Sequence, residues 1–392
     1  MLIPHLPTAY LGQAISLFCL LPILSKLRIP WEIWPALLLS AVFVFFEIFL
    51  VDTFGAFLVG FYTLGTLQIV LFYCVMQQYE GFTWRVLRWS LYICRATVVI
   101  SLAFFPLIPS LPYGGFLDDK SHLTVFTSGI IFMEYINRRY PNAGSGFWYA
   151  VFCFLTFVLQ CLTISRLIGL FAPFYLFLVW RGIRYGGFWA RAAGVTCCVL
   201  ASVVAVLNWK ILEDAVSKYN RFAALFQGGD RASSAHTLLL EIGIRQKFQD
   251  VWLFVFGAGA GNFHEVASRD PSYNLLIATD PALSGGSTSL TGFLHTPAHS
   301  VWISSLVEFP LFVWFPCMLY TAILVSKFVS WREWGIVVYC LGFIGAVTFY
   351  SEHNNVLFYA IIIWIVAAAE IVRSANESDR NIVAGEPLQY TA

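Results

Sequence analysis

Gly146-Phe-Trp-Tyr-Ala-Val-Phe-Cys-Phe-Leu-Thr-Phe-Val-Leu-Gln-Cys-Leu-Thr-Ile-Ser165-Arg166-Leu-Ile-Gly-Leu-Phe-Ala-Pro-Phe-Tyr-Leu-Phe-Leu-Val-Trp180-Arg181 is the stretch that decides the fold. A helix crosses a hydrocarbon core with about 20 apolar residues, so this run is too long for one crossing. Ser165-Arg166 interrupts it and divides it into blocks 146–164 and 167–181, with an unbroken tilted helix as the alternative. Further apolar blocks run over 8–25, 31–50, 54–77, 89–109, 122–136, 188–207, 300–325, 334–350 and 356–372. The expected fold is all-α, a polytopic membrane bundle of about 11 transmembrane helices.

Composition points the same way. Of 392 residues, 59% are hydrophobic and only 11% charged, against about 25% charged in soluble domains. A net charge of +1 gives no basic footprint for nucleic acid. All nine cysteines fall in apolar blocks without a CxxC, so neither a disulfide framework nor a zinc site is readable. The N-terminal Met1-Leu-Ile-Pro-His5 lacks the cationic region of a cleavable signal peptide, and the first block is expected to be retained.

Orientation follows from the cations in short connections. Lys26, Arg28, Arg85, Arg88, Arg138, Arg139, Arg181, Arg184, Arg191, Lys327, Arg332, Arg373 and Arg380 fall on one side, and only Lys120 and Arg166 on the other. The C-terminus is therefore expected in the cytoplasm, and the N-terminus and the long loop 208–299 outside. The expected organisation is helices 1–8 over 1–207, the loop over 208–299, helices 9–11 over 300–372, and a polar cytoplasmic tail over 373–392.

With this topology all seven histidines fall at or near the outer face. Within the loop, Leu238 to Trp252 has the pattern of an amphipathic helix, and Gly257-Ala-Gly-Ala-Gly261-Asn262-Phe263 that of a tight turn. The turn lacks the spacing and the strand–helix context of a dinucleotide fingerprint. His295 and His299 flank the point where the loop re-enters the membrane. Each is either a solvated loop residue or a base for a hydroxyl, since imidazole exchanges a proton near neutral pH. No third ligand stands at zinc spacing, and no metal or other cofactor is expected. Arg166, Arg231 and Arg245 are the outer arginines of interest. A guanidinium fork suits phosphate oxygens, and the alternatives are snorkelling or an acidic partner.

Taken in order, Leu162-Thr163-Ile164-Ser165-Arg166, Gly229-Asp230-Arg231, Gly257 to Phe263, and His295-Thr-Pro-Ala-His299-Ser300 running into Leu306-Val307-Glu308 resemble the O-antigen polymerase and O-antigen ligase family. The resemblance covers about residues 120–372. The departures are Ser300 where the family commonly has Asn, Asp230 where it commonly has Gly, and Phe309-Pro310-Leu311 in place of a Gly-rich step.

The resemblance implies a GT-C-like glycosyltransferase of the bacterial inner membrane with its site facing the periplasm. It would polymerise undecaprenyl-diphosphate-linked repeat units into O-antigen or exopolysaccharide, inverting the anomeric centre without metal. His299 would be the base, helped by His295, and Arg166, Arg231 and more weakly Arg245 would hold the diphosphate. The implied partners are the lipid-linked donor and acceptor glycans, membrane lipid and a chain-length regulator protein. A ligase transferring glycan to lipid A-core is the alternative within the family, and a transporter or flippase of lipid-linked sugars is the alternative outside it.

Overall fold

The computed structural model describes residues 27–51, 53–79, 81–107, 120–140, 146–163, 165, 167–185, 187–188, 191–192, 195, 231–274, 301–348 and 356–384. Among them every regular element is helical. The main helices are α1 (Trp34–Leu50), α2 (Thr53–Gln78), α3 (Phe82–Phe104), α4 (Lys120–Arg139), α5 (Gly146–Leu162), α6 (Ile168–Tyr185), α7 (Arg231–Gln249), α8 (Val251–Phe256), α9 (Phe263–Ala267), α10 (Val301–Glu308), α11 (Leu311–Ser330), α12 (Trp334–Thr348) and α13 (Val356–Ala384).

Among the described residues four stretches are long and apolar enough to cross a membrane: Leu58–Gln78, Phe82–Phe104, Leu311–Ser330 and Phe358–Glu377. Helices α1, α5 and α12 are shorter and apolar. The expected span 122–136 lies within α4, which carries Glu134 inside the span and Arg138 and Arg139 beyond it, and whose side chains from Leu123 to Asn137 are almost all buried. The expected block 8–25 and most of 188–207 lie outside the described residues.

Three boundaries bear on the sequence reading. The long block 146–181 is indeed two helices, with α5 ending at Leu162 and α6 beginning at Ile168. The expected single span 300–325 is also two helices, because the chain breaks at Phe309-Pro310 and proline has no N–H to continue the ladder. Finally, α13 continues to Ala384, so the segment read as a polar tail from 373 begins as helix.

The chain divides into two compact units. One comprises Met1–Leu71, Ala205–Leu324 and Ile344–Tyr359. Its loop portion has a core of Leu239, Ile242, Leu253, Phe263, Val266, Ala267, Tyr273, Ile303 and Val307, which joins α7, α8, α9 and α10. A Cβ at Gly243 would meet Ile303 Cγ2 at 2.7 Å, so glycine permits this close crossing of α7 and α10. A second cluster packs Phe43, Leu58, Val59, Phe61, Tyr62, Val313 and Tyr359 around Ala260 of the glycine turn.

The other unit comprises Phe72–Val204, Val325–Phe343 and Ala360–Ala392. Helix α4 is its buried centre. Phe132 stacks on Tyr339 at 4.1 Å between centroids, and Phe174 meets the same tyrosine edge-on. Glu134, fully buried, accepts a bidentate pair from Arg95 Nε at 2.6 Å and Nη2 at 2.8 Å. Such geometry offsets the large cost of taking both charges out of water.

Candidate active site

The glycine turn is held on both sides by helices distant from it in sequence. Gly257, Gly259 and Gly261 all have positive φ. At Gly257 (φ 79) a Cβ would also stand 2.2 Å from the Glu308 carbonyl, so both the conformation and the space require glycine. Ala258 N–H donates to Val307 O and Gly259 N–H to Glu308 O, both at 3.0 Å. These bonds satisfy carbonyls that the end of α10 leaves open.

Two buried carboxylates then grip the same turn. Glu47 of α1 accepts from Ala260 N–H at 2.7 Å, across 213 residues of sequence. The Glu308 carboxyl accepts from the backbone N–H groups of Gly261 and Phe263. Asn262 adds a third tie, donating to Leu50 O at 3.2 Å and Ala258 O at 2.9 Å. The amides of the turn are thus divided between the end of α10, Glu47 and Glu308. Glu47 Oε1 and Glu308 Oε2 are buried and accept no hydrogen bond.

A buried cation completes the cluster. Lys247 of α7 donates to Phe309 O at 3.1 Å, and burial pushes its ammonium down to about 8 against the opposing pull of Glu47. Gly243 faces Ile303 and Lys247 faces Phe309, so α7 and α10 run in the same direction. Their N-terminal ends therefore point the same way. Arg231 opens α7 about 18 Å ahead of Gly243 at 1.5 Å per residue, and α10 begins two residues after His299.

Of the five residues singled out from sequence, Arg245 has a described side chain. Its guanidinium pairs with Asp270 and lies 3.7 Å from Glu241. Burial raises the Asp270 carboxyl, but hydrogen bonding from Ser272 and the Arg245 charge outweigh it and hold the group below the usual carboxylate range. This pairing engages one end of a guanidinium that stays 37% exposed. Arg166, His295, His299 and Ser300 lie outside the described residues, as does the side chain of Arg231.

The other described part of the motif set is Thr163 and Ser165, in the second unit. Thr163 Oγ1 donates to Gln160 O at 2.7 Å and lies 2.8 Å from Thr124 Oγ1. Ser165 N–H donates to Thr163 Oγ1, and Leu167 N–H to Ser165 Oγ, each at 3.3 Å. The two hydroxyls thus supply partners for backbone N–H groups between the end of α5 and the start of α6.

Glu47 and Lys247 were not singled out from sequence. The available signal was Glu47 itself, a carboxylate within an apolar block, which is expensive at membrane depth unless partnered. Among the described residues no group of three or more His, Cys, Asp or Glu is placed to hold a metal ion. No family model, no curated protein and no solved structure matches the chain.

Proposed function

We propose that this chain is a membrane glycosyltransferase that polymerises lipid-diphosphate-linked oligosaccharide repeat units at the periplasmic face of a bacterial inner membrane. The observation that carries the reading is the joining of two separate motif segments. The glycine turn is hydrogen-bonded, through main chain and through Glu308, to the helix that opens beside His299. This is the arrangement expected if the turn sets the position of a catalytic loop-to-helix step. The reading includes about 11 spans with segment 208–299 outside, on the cation asymmetry between alternate connections.

In this mechanism the acceptor hydroxyl gives its proton to His299 while its oxygen attacks the anomeric carbon from the face opposite the diphosphate. The glycosidic bond forms as the carbon–diphosphate bond breaks, and configuration inverts. Charge developing on the leaving diphosphate is met by Arg166 and Arg231. His295 assists, Arg245 organises the loop through Asp270, and a chain-length regulator would act on the growing product.

The test is transfer in vitro with the purified full chain and a lipid-diphosphate oligosaccharide. A ladder of lengthening products is the expected result. Addition of one glycan to lipid A-core would instead identify a ligase. Absence of any transfer, with the lipid-linked sugar moved across vesicles, would overturn the enzymatic reading in favour of a flippase.

A further inference from the structure

The loop portion of the first unit has an apolar face that its own core does not use. Leu239 and Ile242 of α7 and Leu253 of α8 point into the core with α10, whereas Ile244, Phe248, Val251 and Trp252 are exposed. Val251 is 79% exposed and Phe248 63%. Ile244 and Phe248 are four residues apart and share one side of α7, while Val251 and Trp252 open α8 just past the extended residue Asp250. The Asp250 side chain accepts from Trp252 and Leu253 N–H, so the direction of α8 is set locally and the exposed residues are held out rather than left loose. Four large exposed apolar side chains within nine consecutive residues of the loop portion call for a covering partner.

What that partner is follows from the neighbouring surface. Trp252 packs on Phe256 at 4.3 Å between centroids, and Phe256 on Phe46 of α1 at 5.5 Å. Phe46 continues to Phe45 and Phe45 to Phe49. Phe45, Ile48 and Phe49 form the exposed flank of α1, while the carboxylate of that helix, Glu47, turns inward. The exposed face of α7 and α8 is thus continuous, ring by ring, with the flank of an apolar helix whose outer side suits hydrocarbon. Tryptophan at such a junction is favoured because its ring is apolar and its N–H wants the polar interface.

We propose that Ile244, Phe248, Val251 and Trp252 form an interfacial anchor that lies in the headgroup–acyl boundary of the bilayer. The loop then rests on the membrane as well as on the protein. An amphipathic helix lying in the interface plane has this composition of aromatic and aliphatic residues on its buried side. The anchor fixes the height of α7, and with it Lys247 and the glycine turn, relative to the lipid. It rests on the membrane character of the chain and not on the glycosyl-transfer reading.

The experiment is photocrosslinking of the full chain in phosphatidylethanolamine–phosphatidylglycerol vesicles. p-Benzoylphenylalanine is placed in turn at Val251, at Phe248, at Phe49 as the lipid-facing reference, and at Glu241 as an exposed polar reference. All four side chains are exposed, so the substitutions leave the core intact. Adducts with the mass of a phospholipid are expected at 251 and 248 at the yield seen at 49, with loss to background at 241. Crosslinks to a second copy or to another protein at 251 and 248 would overturn the proposal. So would absence of any adduct there while Phe49 labels lipid. Failure of Phe49 itself to label lipid would remove the membrane surface on which the anchor depends.

Discussion

Both units bury charge, and they do so in opposite ways. In the unit centred on α4, Glu134 is matched by the planar fork of Arg95, side chain to side chain between two helices. In the unit that holds the glycine turn, Glu47 and Glu308 are matched chiefly by backbone N–H groups of a non-helical segment, with one ammonium nearby. The first arrangement joins helices that are already formed. The second fixes a stretch of chain with no ladder of its own, so its buried carboxyl groups specify a conformation. The contrast separates ion pairing that joins helices from hydrogen bonding that shapes a turn.

The largest effect is expected at the proposed catalytic step. His299→Ala should lower turnover by about 10²–10⁴, the usual loss when a general base is removed, while the melting temperature stays at the wild-type value. A variant that melts normally and still elongates glycan at the wild-type rate would remove the mechanism. Glu134→Ala should do the reverse. It leaves Arg95 buried without its partner and should cost about 3–5 kcal/mol of stability, read by denaturation in detergent, with turnover per folded molecule retained.

The Lys247 cluster sharpens the comparison through pH. The ammonium holds its proton less tightly in the folded chain, at about 8, than at the ordinary lysine value of 10.5. Below pH 8 both states are protonated and the folded state bears the full cost of the buried charge. Between about 8 and 10.5 the unfolded chain binds more protons, so stability should rise with pH, by no more than about 3 kcal/mol. Lys247→Met should abolish that rise across the same window. A slope unchanged in the variant would show that the lysine is solvated.

The smallest effect is expected at Arg245. Its side chain is 37% exposed and already engaged, so Arg245→Gln should cost less than about 1 kcal/mol and leave turnover nearly unchanged. A large fall in turnover at normal stability would instead return Arg245 to the diphosphate.

Much of the helical layout was legible because a helix in an apolar medium must satisfy its backbone within itself, which forces long apolar runs with polar breaks. Helices α2, α5 and α12 stand close to where those runs place them. The block at 300–325 misled because apolarity continues through Phe309-Pro310 although the hydrogen-bond ladder cannot. Helix α4 stands over the expected block, and what the block did not record is that Glu134 within it pairs with Arg95 of α3.

The glycine-rich turn was equally legible, because three glycines within five residues meet a need for positive φ that few other residues satisfy. What holds the turn was not. The bond from Ala260 N–H to Glu47 spans 213 residues and depends on one side-chain oxygen meeting one amide. Nothing periodic in the chain records such a meeting. Local rules of period, capping and backbone satisfaction act on neighbours along the sequence, so the sequence alone determined most of the helices, the break between α5 and α6 and the turn. The pairing of Glu47, Lys247 and Glu308 around that turn was decided by tertiary structure, because only packing brings α1, α7 and α10 within hydrogen-bond reach of the same few amides.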